Sequence, residues 1–353
     1  MNKKNIAIIV LSLVLIVVFA RAWLARDYSQ IMAVTGATPL AVNRDVPSGM
    51  SLKVTGMVKK EYRFSAGALN AFARTRVRTR EISADGKYEG AYNYLGVPLY
   101  NILEGVAPKK PEAAAFDRPL DMLVTVVSSE GSKSFFSYGE LTMADDRHPV
   151  LLAYDRTQVL PSKDPELYTK NIHTENIKGL RLVCPRDSDT GRYLDKVTEI
   201  VLSEPEAPNA VLPKMKKGEK CGAPSLTCVS EGAPRPARLS GLEPCSVKNW
   251  VRIGHGRGYK GVSAASGYGL RSFLRANFPG CGSGDFFLFV ACDGYRVLLS
   301  GREIFSTREG ESMFLANEVD GKRKSDYMLA PSADYFVDRD VWGLSHVVIL
   351  NLR

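Results

Sequence analysis

The chain has 353 residues, of which 45% are hydrophobic and 24% charged. This balance is typical of a globular protein with about two domains, and it excludes disordered and fibrous classes. The formal net charge of +9 is spread along the chain, with one compact lysine run at Lys214–Lys220. Because no basic helix interleaved with aromatic residues accompanies it, nucleic acid is not a predicted partner.

The N-terminus carries the features of an export signal. Lys3 and Lys4 precede an apolar run from Ile6 to Ala20, and Arg21 follows it. Residues 1–25 are therefore predicted to be a signal peptide or a signal anchor. The run of about 15 residues is short for a membrane-spanning helix, which needs about 20.

Two outcomes stay open for this segment. A small-x-small sequence at 20–22 fits cleavage, whereas the apolar residues that follow extend the span. A retained anchor is favoured, with the membrane as partner through residues 6–25 and the two lysines on the cytoplasmic side. A tether at 26–48 then leads to a body on the periplasmic or other extracytoplasmic side of the cell envelope.

An internal repeat organises the rest of the chain. The pattern G-x-[KR]-x-[FL]-[FL]-S-x-x-E-[LI] occurs without a gap at Gly131–Leu141 and at Gly294–Ile304. Arg192–Leu202 aligns with Arg339–Ile349 in the same order. The sequence therefore predicts domain 1 at 49–204, a linker at 205–223 rich in Pro, Gly and Lys, and a divergent domain 2 at 224–353.

The repeated Ser-x-x-Glu motif predicts helix capping boxes. In such a box the Ser oxygen accepts a hydrogen bond from the backbone three residues on, and the Glu carboxylate reaches back. Ser137 with Glu140 and Ser300 with Glu303 fit this pattern. A catalytic serine or glutamate is the alternative, but no G-x-S-x-G elbow is present to support it, so the catalytic residues stay unknown.

Histidine and glycine motifs give only weak site candidates. The four histidines are not spaced as ligands on one helix face, so no metal site is predicted. His173 lies in an insertion of repeat one at about 155–174, and loops on a rigid scaffold often carry binding groups. His255 and Arg257 lie in the glycine-dense stretch 254–258, which offers donors to an anionic group.

Six cysteines begin at Cys184, and an even count in an exported chain favours structural disulfides. The sequence does not choose among fifteen pairings. A bridge between Cys221 and Cys228 would close a small loop. CxxC and CxxCH motifs are absent, which argues against a redox dithiol and a c-type haem.

Three segments carry a resemblance to a known family. They are "YNYLGVPLYNILEGV" from Tyr92, "DMLVTVVSSEGSKSFFSYGEL" from Asp121 and "GLRLVCPRD" from Gly179. Their order resembles the molybdopterin-binding domain of the sulfite-oxidase-like oxidoreductases. The resemblance implies an α+β fold of two tandem mixed α/β domains after the N-terminal apolar helix, and molybdopterin as a possible cofactor.

In that family a cysteine thiolate holds the molybdenum shortly before the Gly-Val-Pro turn. The corresponding stretch here, Arg74–Asn93, contains no cysteine, and neither does the matching region of repeat two at 251–259. Arginines that alternate from Arg74 to Arg80 would line one face of a strand. The candidate cofactor-binding residues are Arg78, Arg80, Tyr94, Gly96, Arg181, His173, His255 and Arg257.

Two functions follow from these observations. The first is an envelope-anchored, non-catalytic binding or assembly module that has lost the metal ligand, with an envelope protein as a possible partner. The second is a molybdopterin-dependent oxidoreductase with a metal ligand other than cysteine, which transfers electrons in the cell envelope. The missing cysteine in both repeats favours the first.

Overall fold

The computed structural model describes residues 45–145, 147–159, 174–206 and 225–351. The predicted signal or anchor (1–25), most of the tether (26–48), most of the insertion, including His173, and most of the linker lie outside these ranges. Among the described residues, no helix has the length and apolar character needed to cross a membrane.

The first sheet has nine strands in the order β2-β1-β9-β8-β7-β4-β3, and β5 adds to β9 and carries β6. The β1–β9 pair is parallel and the other pairs are antiparallel, so the sheet is mixed. The strands are β1 (Ser51–Gly56), β2 (Tyr62–Ser65), β3 (Thr75–Ile82), β4 (Tyr88–Pro98), β5 (Leu123–Ser128), β6 (Lys133–Ser137), β7 (Leu151–Gln158), β8 (Thr174–Val183) and β9 (Leu194–Ser203).

The second sheet repeats this arrangement strand for strand. Its order is β11-β10-β18-β17-β16-β13-β12, with β14 on β18 and β15 on β14, and β10 is parallel to β18. The strands are β10 (Thr227–Ser230), β11 (Ala233–Pro236), β12 (Pro244–Gly254), β13 (Gly258–Gly269), β14 (Phe286–Ala291), β15 (Arg296–Ser300), β16 (Met313–Val319), β17 (Lys322–Pro331) and β18 (Val341–Leu350).

Helices are few and short. The α-helices are α1 (Ala66–Asn70), α2 (Leu99–Gly105), α3 (Tyr138–Thr142), α4 (Leu270–Asn277) and α5 (Gly301–Phe305), of 5 to 8 residues. The described chain is thus mostly β, which corrects the helix share that an α+β prediction implies. Its buried segments are rich in Val, Leu and Phe and form strands, and the helices are too short to cover a sheet face.

The aligned motifs occupy corresponding elements. Gly131–Leu141 spans β6 and the start of α3, and Gly294–Ile304 spans β15 and the start of α5. Two large apolar clusters follow the same division, one from Val46 to Leu202 and one mainly from Leu226 to Val347. Leu120 and Met143 of the first repeat join the second cluster, so packing is continuous between the repeats. The domain boundaries stay predictions.

Gly96, a candidate cofactor contact, has a clear packing role. A β-carbon at Gly96 would lie 2.3 Å from the carbonyl oxygen of Leu152 on the neighbouring strand. At the corresponding bulge of the second sheet, a β-carbon at Gly267 would lie 1.9 Å from the carbonyl oxygen of Leu315. Both positions require glycine because two backbones approach closely there.

Candidate functional site

The junction between the repeats is built on the two Ser-x-x-Glu motifs. Ser137 precedes α3, and its Oγ accepts a hydrogen bond from the Glu140 backbone at 3.1 Å. Ser300 precedes α5 and accepts from the Glu303 backbone at 3.0 Å. The Glu303 carboxylate also accepts from the Ser300 backbone at 2.8 Å, which confirms a complete capping box in repeat two.

Each capping serine also reaches into the other repeat. Ser137 Oγ donates to Glu303 Oε1 at 3.0 Å, and Ser300 Oγ donates to Glu140 Oε2. The two hydroxyls therefore accept from their own helix and donate across the junction. This exchange is reciprocal, as in an isologous interface between two copies of one unit.

An arginine in each repeat completes the arrangement. Arg339 Nη1 lies 2.5 Å from Glu303 Oε2, while its Nε and Nη2 donate to Asp334 at 2.7 and 2.6 Å. Arg192 pairs with Glu140 in the same way and donates to Asp187 at 2.8 and 2.7 Å. We call these eight residues the junction network: Ser137, Glu140, Asp187, Arg192, Ser300, Glu303, Asp334 and Arg339.

Burial sets the electrostatics of the junction network. Burial, and then the charge of Glu303, raise the pKa of Glu140 to about 7 against the attraction of Arg192. The neighbouring acidic groups Asp334 and Glu303 hold the pKa of Arg339 above its ordinary value although burial opposes this. The arginines are therefore charged, and Glu140 holds a proton over part of the neutral range.

The junction network offers little room for a reacting molecule. A cavity of about 20 Å³ lies between Glu140, Arg192, Glu303 and Arg339. A volume of this size holds about one water molecule. Because both serine hydroxyls already donate to carboxylates, the arrangement is suited to joining the repeats rather than to nucleophilic chemistry.

A larger cavity, of about 260 Å³, opens beside the junction network. We call it the junction cleft. Repeat two supplies the loop Tyr335–Phe336, whose two backbone N–H groups donate to the Met143 carbonyl oxygen at 3.0 and 3.2 Å. Its lining residues are Tyr100, Glu104, Leu141, Thr142, Ala144, Asp145, Pro149, Arg186, Tyr335 and Phe336.

The candidate arginines do not lie together in the structure. On β3, Arg78 and Arg80 are exposed while the alternate residues are buried, as the alternation predicted. Arg78 Nε donates to Asn93 at 3.1 Å. Arg181 lies on β8 and approaches the buried face of β3, since its Nη2 lies 3.7 Å from Glu81 Oε2.

Tyr94 and Arg181 do come together. Tyr94 is fully buried, and burial raises its pKa strongly, with the charge of Arg181 opposing the shift. Among the described residues, the Tyr94 hydroxyl and Arg181 Nε lack hydrogen-bond partners. Such buried donors suit an acceptor-rich molecule or a water.

The glycine-dense loop lies elsewhere. His255 is in the turn between β12 and β13, where its backbone N–H donates to Asp338 at 2.6 Å and its ring lies 4.9 Å from Phe336. Arg257 is exposed in the same turn. Among the described residues, no group of three or more His, Cys, Asp and Glu side chains is placed to hold a metal ion.

The cysteines in the described ranges do not supply a thiolate for molybdenum. Cys184, Cys228, Cys245 and Cys281 are free thiols. Among the pairings that the sequence left open, those that involve Cys228, including the small loop with Cys221, are therefore excluded, and Cys228 packs in the second core. Burial raises the pKa of all four thiols, to about 12 for Cys228. Cys292 is disulfide-bonded.

The resemblance places the metal ligand within Arg74–Asn93. In the structure this segment comprises β3, the turn after it and the first part of β4, and it contains no cysteine. Cys184 follows β8 and is 1% exposed, with Sγ 4.0 Å from the Arg192 carbonyl oxygen. A protonated, buried thiol is a poor metal ligand. These residues therefore do not fit a thiolate-held molybdenum.

Sequence reasoning found the capping motif but missed what surrounds it. The alignment of Arg192 with Arg339 was the available signal for the junction network, because both arginines stand at the same position of an aligned pair. Asp187 and Asp334, which pair with these arginines, each lie five residues before their arginine in the sequence. Nothing in the sequence pointed to the junction cleft, since its walls come from both repeats.

Comparisons with known proteins add little to this description. No family model matches the chain, and no curated protein does. Among solved structures, the chain is similar to the sulfane dehydrogenase SoxCD from Paracoccus pantotrophus, with 15% identity and a TM-score of 0.32. The similarity covers 87% of this chain and 78% of that chain.

Proposed function

We propose that this protein is an exported, membrane-anchored, non-catalytic binding or assembly module built from two molybdopterin-oxidoreductase-like repeats. The observation that carries the proposal is the junction network. Its shared Ser and Glu residues form hydrogen bonds between the repeats, while each shared Arg pairs with the Glu of its own repeat. The network lies beside the junction cleft, whose walls come from both repeats. Clefts between packed units are common binding sites.

The missing thiolate supports a role without metal chemistry. A soft anionic sulfur would be needed at a position where the chain supplies β3 and β4 without cysteine. The four free thiols described above have raised pKa values and are not replacements. The fold resemblance therefore accounts for the scaffold, and the binding role belongs to the junction cleft.

Metal and pterin analysis of the full chain tests this proposal. The protein is purified from a host that makes the molybdenum cofactor, together with a molybdopterin enzyme from the same culture as the loading control. We expect molybdenum in the control and none above background in this protein. Stoichiometric molybdenum in the protein would overturn the proposal.

The alternative, a molybdopterin oxidoreductase with another ligand, has one observation in its favour. The buried donors of Tyr94 and Arg181 suit the acceptor-rich edge of a pterin. Oxidation of the denatured protein would release a fluorescent pterin derivative if this alternative held. A blank result beside a positive control removes it.

Export is tested separately. A reporter enzyme that is active only outside the cytoplasm is fused after residue 48, and a second fusion lacks residues 6–25. We expect activity in the membrane fraction from the first fusion and none from the second. Equal activity from both fusions would contradict an export role for the apolar run.

A further inference from the structure

The junction cleft is lined by two charged side chains, Glu104 and Arg186, that are not in ion pairs with other described residues. Among the described residues, neither Glu104 nor Arg186 forms a salt bridge. Arg186 Nη2 donates to the neutral backbone oxygen of Glu140 at 2.9 Å. Asp145, in contrast, is paired with Arg147 at 2.6 Å. Among the described lining residues, Glu104 and Arg186 therefore offer a carboxylate and a guanidinium to a ligand. They do so beside the Asp145 carboxylate, whose pKa is lowered, against the effect of burial, by Arg147 and by the charge of Arg186.

The aromatic wall of the junction cleft is held in place. The ring centroids of Tyr335 and Phe336 lie 4.8 Å apart at an interplanar angle of 87°. Tyr335 is 52% exposed, so part of its ring is available to a ligand. Because its backbone is bonded to Met143, the wall costs little ordering entropy when a ligand binds.

The other side of the junction shows that these groups are not required by the scaffold. Glu104 is the sixth residue of α2, and the sixth residue of α4 is Arg275. Arg186 stands six residues before Arg192, and Ala333 stands six residues before Arg339. The charged groups of the junction cleft are therefore specific to one side.

We infer that the junction cleft binds a small zwitterion, an amino acid that carries both an ammonium and a carboxylate group. Arg186 receives the carboxylate, because a guanidinium fork matches two carboxylate oxygens. Glu104 receives the ammonium group, and the Tyr335 and Phe336 rings contact the remaining carbon atoms. This inference rests on the proposed function and names the ligand of its cleft.

Calorimetric titration of the full chain tests the inference. The probes are glycine, phenylalanine and γ-aminobutyrate, with methylamine and acetate as analogues that carry one charge each. We expect saturable 1:1 binding of at least one amino acid and about tenfold weaker binding of both analogues. The comparison of phenylalanine with γ-aminobutyrate distinguishes α-amino acids from those with separated charges.

Matched variants locate the site. Glu104→Gln is expected to weaken amino-acid binding about tenfold, since a neutral amide replaces the counter-charge. Arg275→Gln, at the corresponding position of repeat two, is expected to leave binding unchanged. Binding that is equal in both variants, or absent for all three amino acids, would overturn the inference.

The result is distinguishable from a failure of the proposed function. A molybdenum-free protein that binds no amino acid overturns only the assigned ligand. A protein that contains stoichiometric molybdenum overturns the proposed function, whatever the titration shows. Thermal unfolding of each variant confirms that a loss of binding is not a loss of fold.

Discussion

The junction network and the two sides that flank it differ in how far the repeats have diverged. In the network, every residue of repeat one has the same residue type at the matching position of repeat two. On the flanks, Glu104 corresponds to Arg275 and Asp145 to Arg308. The contacts that join the repeats have been kept, whereas the groups beside them have reversed in charge. Function is therefore to be sought on the flanks.

The side chains of the second flank are engaged within their own repeat. Arg271 occupies the position of Tyr100 and donates to the carbonyl oxygens of Ile304 and Thr307, each at 2.6 Å. Phe305 occupies the position of Thr142 and lies under the Arg275 guanidinium, 5.5 Å from the ring centroid. These long side chains bind their own repeat, so they are not free for a ligand.

The largest expected effect comes from breaking the junction network. Arg192→Ala and Arg339→Ala each leave two buried carboxylates without their counter-charge, which costs about 3–5 kcal/mol of unfolding free energy. Because the two halves match, the losses are expected to be similar. Denaturant unfolding measures both, with exposed Arg257→Ala as the control. A large difference between the two would break the equivalence that we infer.

A smaller effect is expected at Gly139, where the network depends on a missing side chain. A β-carbon there would lie 2.4 Å from Arg339 Cδ. Gly139→Ala is therefore expected to cost about 1–3 kcal/mol by overpacking. Gly284→Ala, where a β-carbon meets nothing within 4 Å, is the control. Equal stability of the two variants would refute this packing argument.

The pH dependence of stability reports on the buried carboxyl groups. The pKa of Glu140 is raised to about 7, and burial raises the pKa of Asp121 to about 6. Above about pH 4 the folded chain then binds more protons than the unfolded chain, so stability falls as the pH rises toward 7.

We expect the free energy of unfolding to decrease between about pH 5 and pH 7.5 as these groups ionise in the folded chain. Unfolding in urea at both pH values measures it. Glu140→Gln cannot ionise and is expected to show a smaller decrease. A stability that rises over this pH interval would contradict a raised pKa for the Glu140 carboxyl group.

The smallest effect concerns an ion pair that is present on only one flank. Arg302 Nη1 lies 2.9 and 2.7 Å from the two Asp189 oxygens, and the residue that matches Arg302 in repeat one is Gly139. Arg302→Met is expected to cost about 0.2–1 kcal/mol, because the pair is partly exposed. Thermal unfolding checks this. A loss as large as that of Arg339→Ala would mean that the pair belongs to the network.

The repeat could be predicted from the sequence because short contiguous motifs specify it. The Gly-x-basic-x-apolar-apolar-Ser motif specifies a strand, its turn and a capped helix within eleven residues, and two copies could be compared directly. The share of helix was overestimated because capping signals show where a helix begins and not how soon it ends. α3 and α5 both end after five residues.

The site was harder to predict because its parts are distant in sequence. Ser137 meets Glu303 across 166 residues, and Tyr335 meets Met143 across a similar separation. No local pattern records such a pairing. The arginines of β3 were correctly placed on one face, but their alternation gave no sign of what they contact.

The parallel pairing of β1 with β9 has a mechanical consequence. In each repeat the first strand lies beside the last, so the beginning of β1 and the end of β9 are at opposite ends of the pair. Tension applied to a repeat through its two ends pulls these strands past each other and loads their hydrogen bonds together in shear. Each repeat can therefore bear force along the chain without peeling open strand by strand.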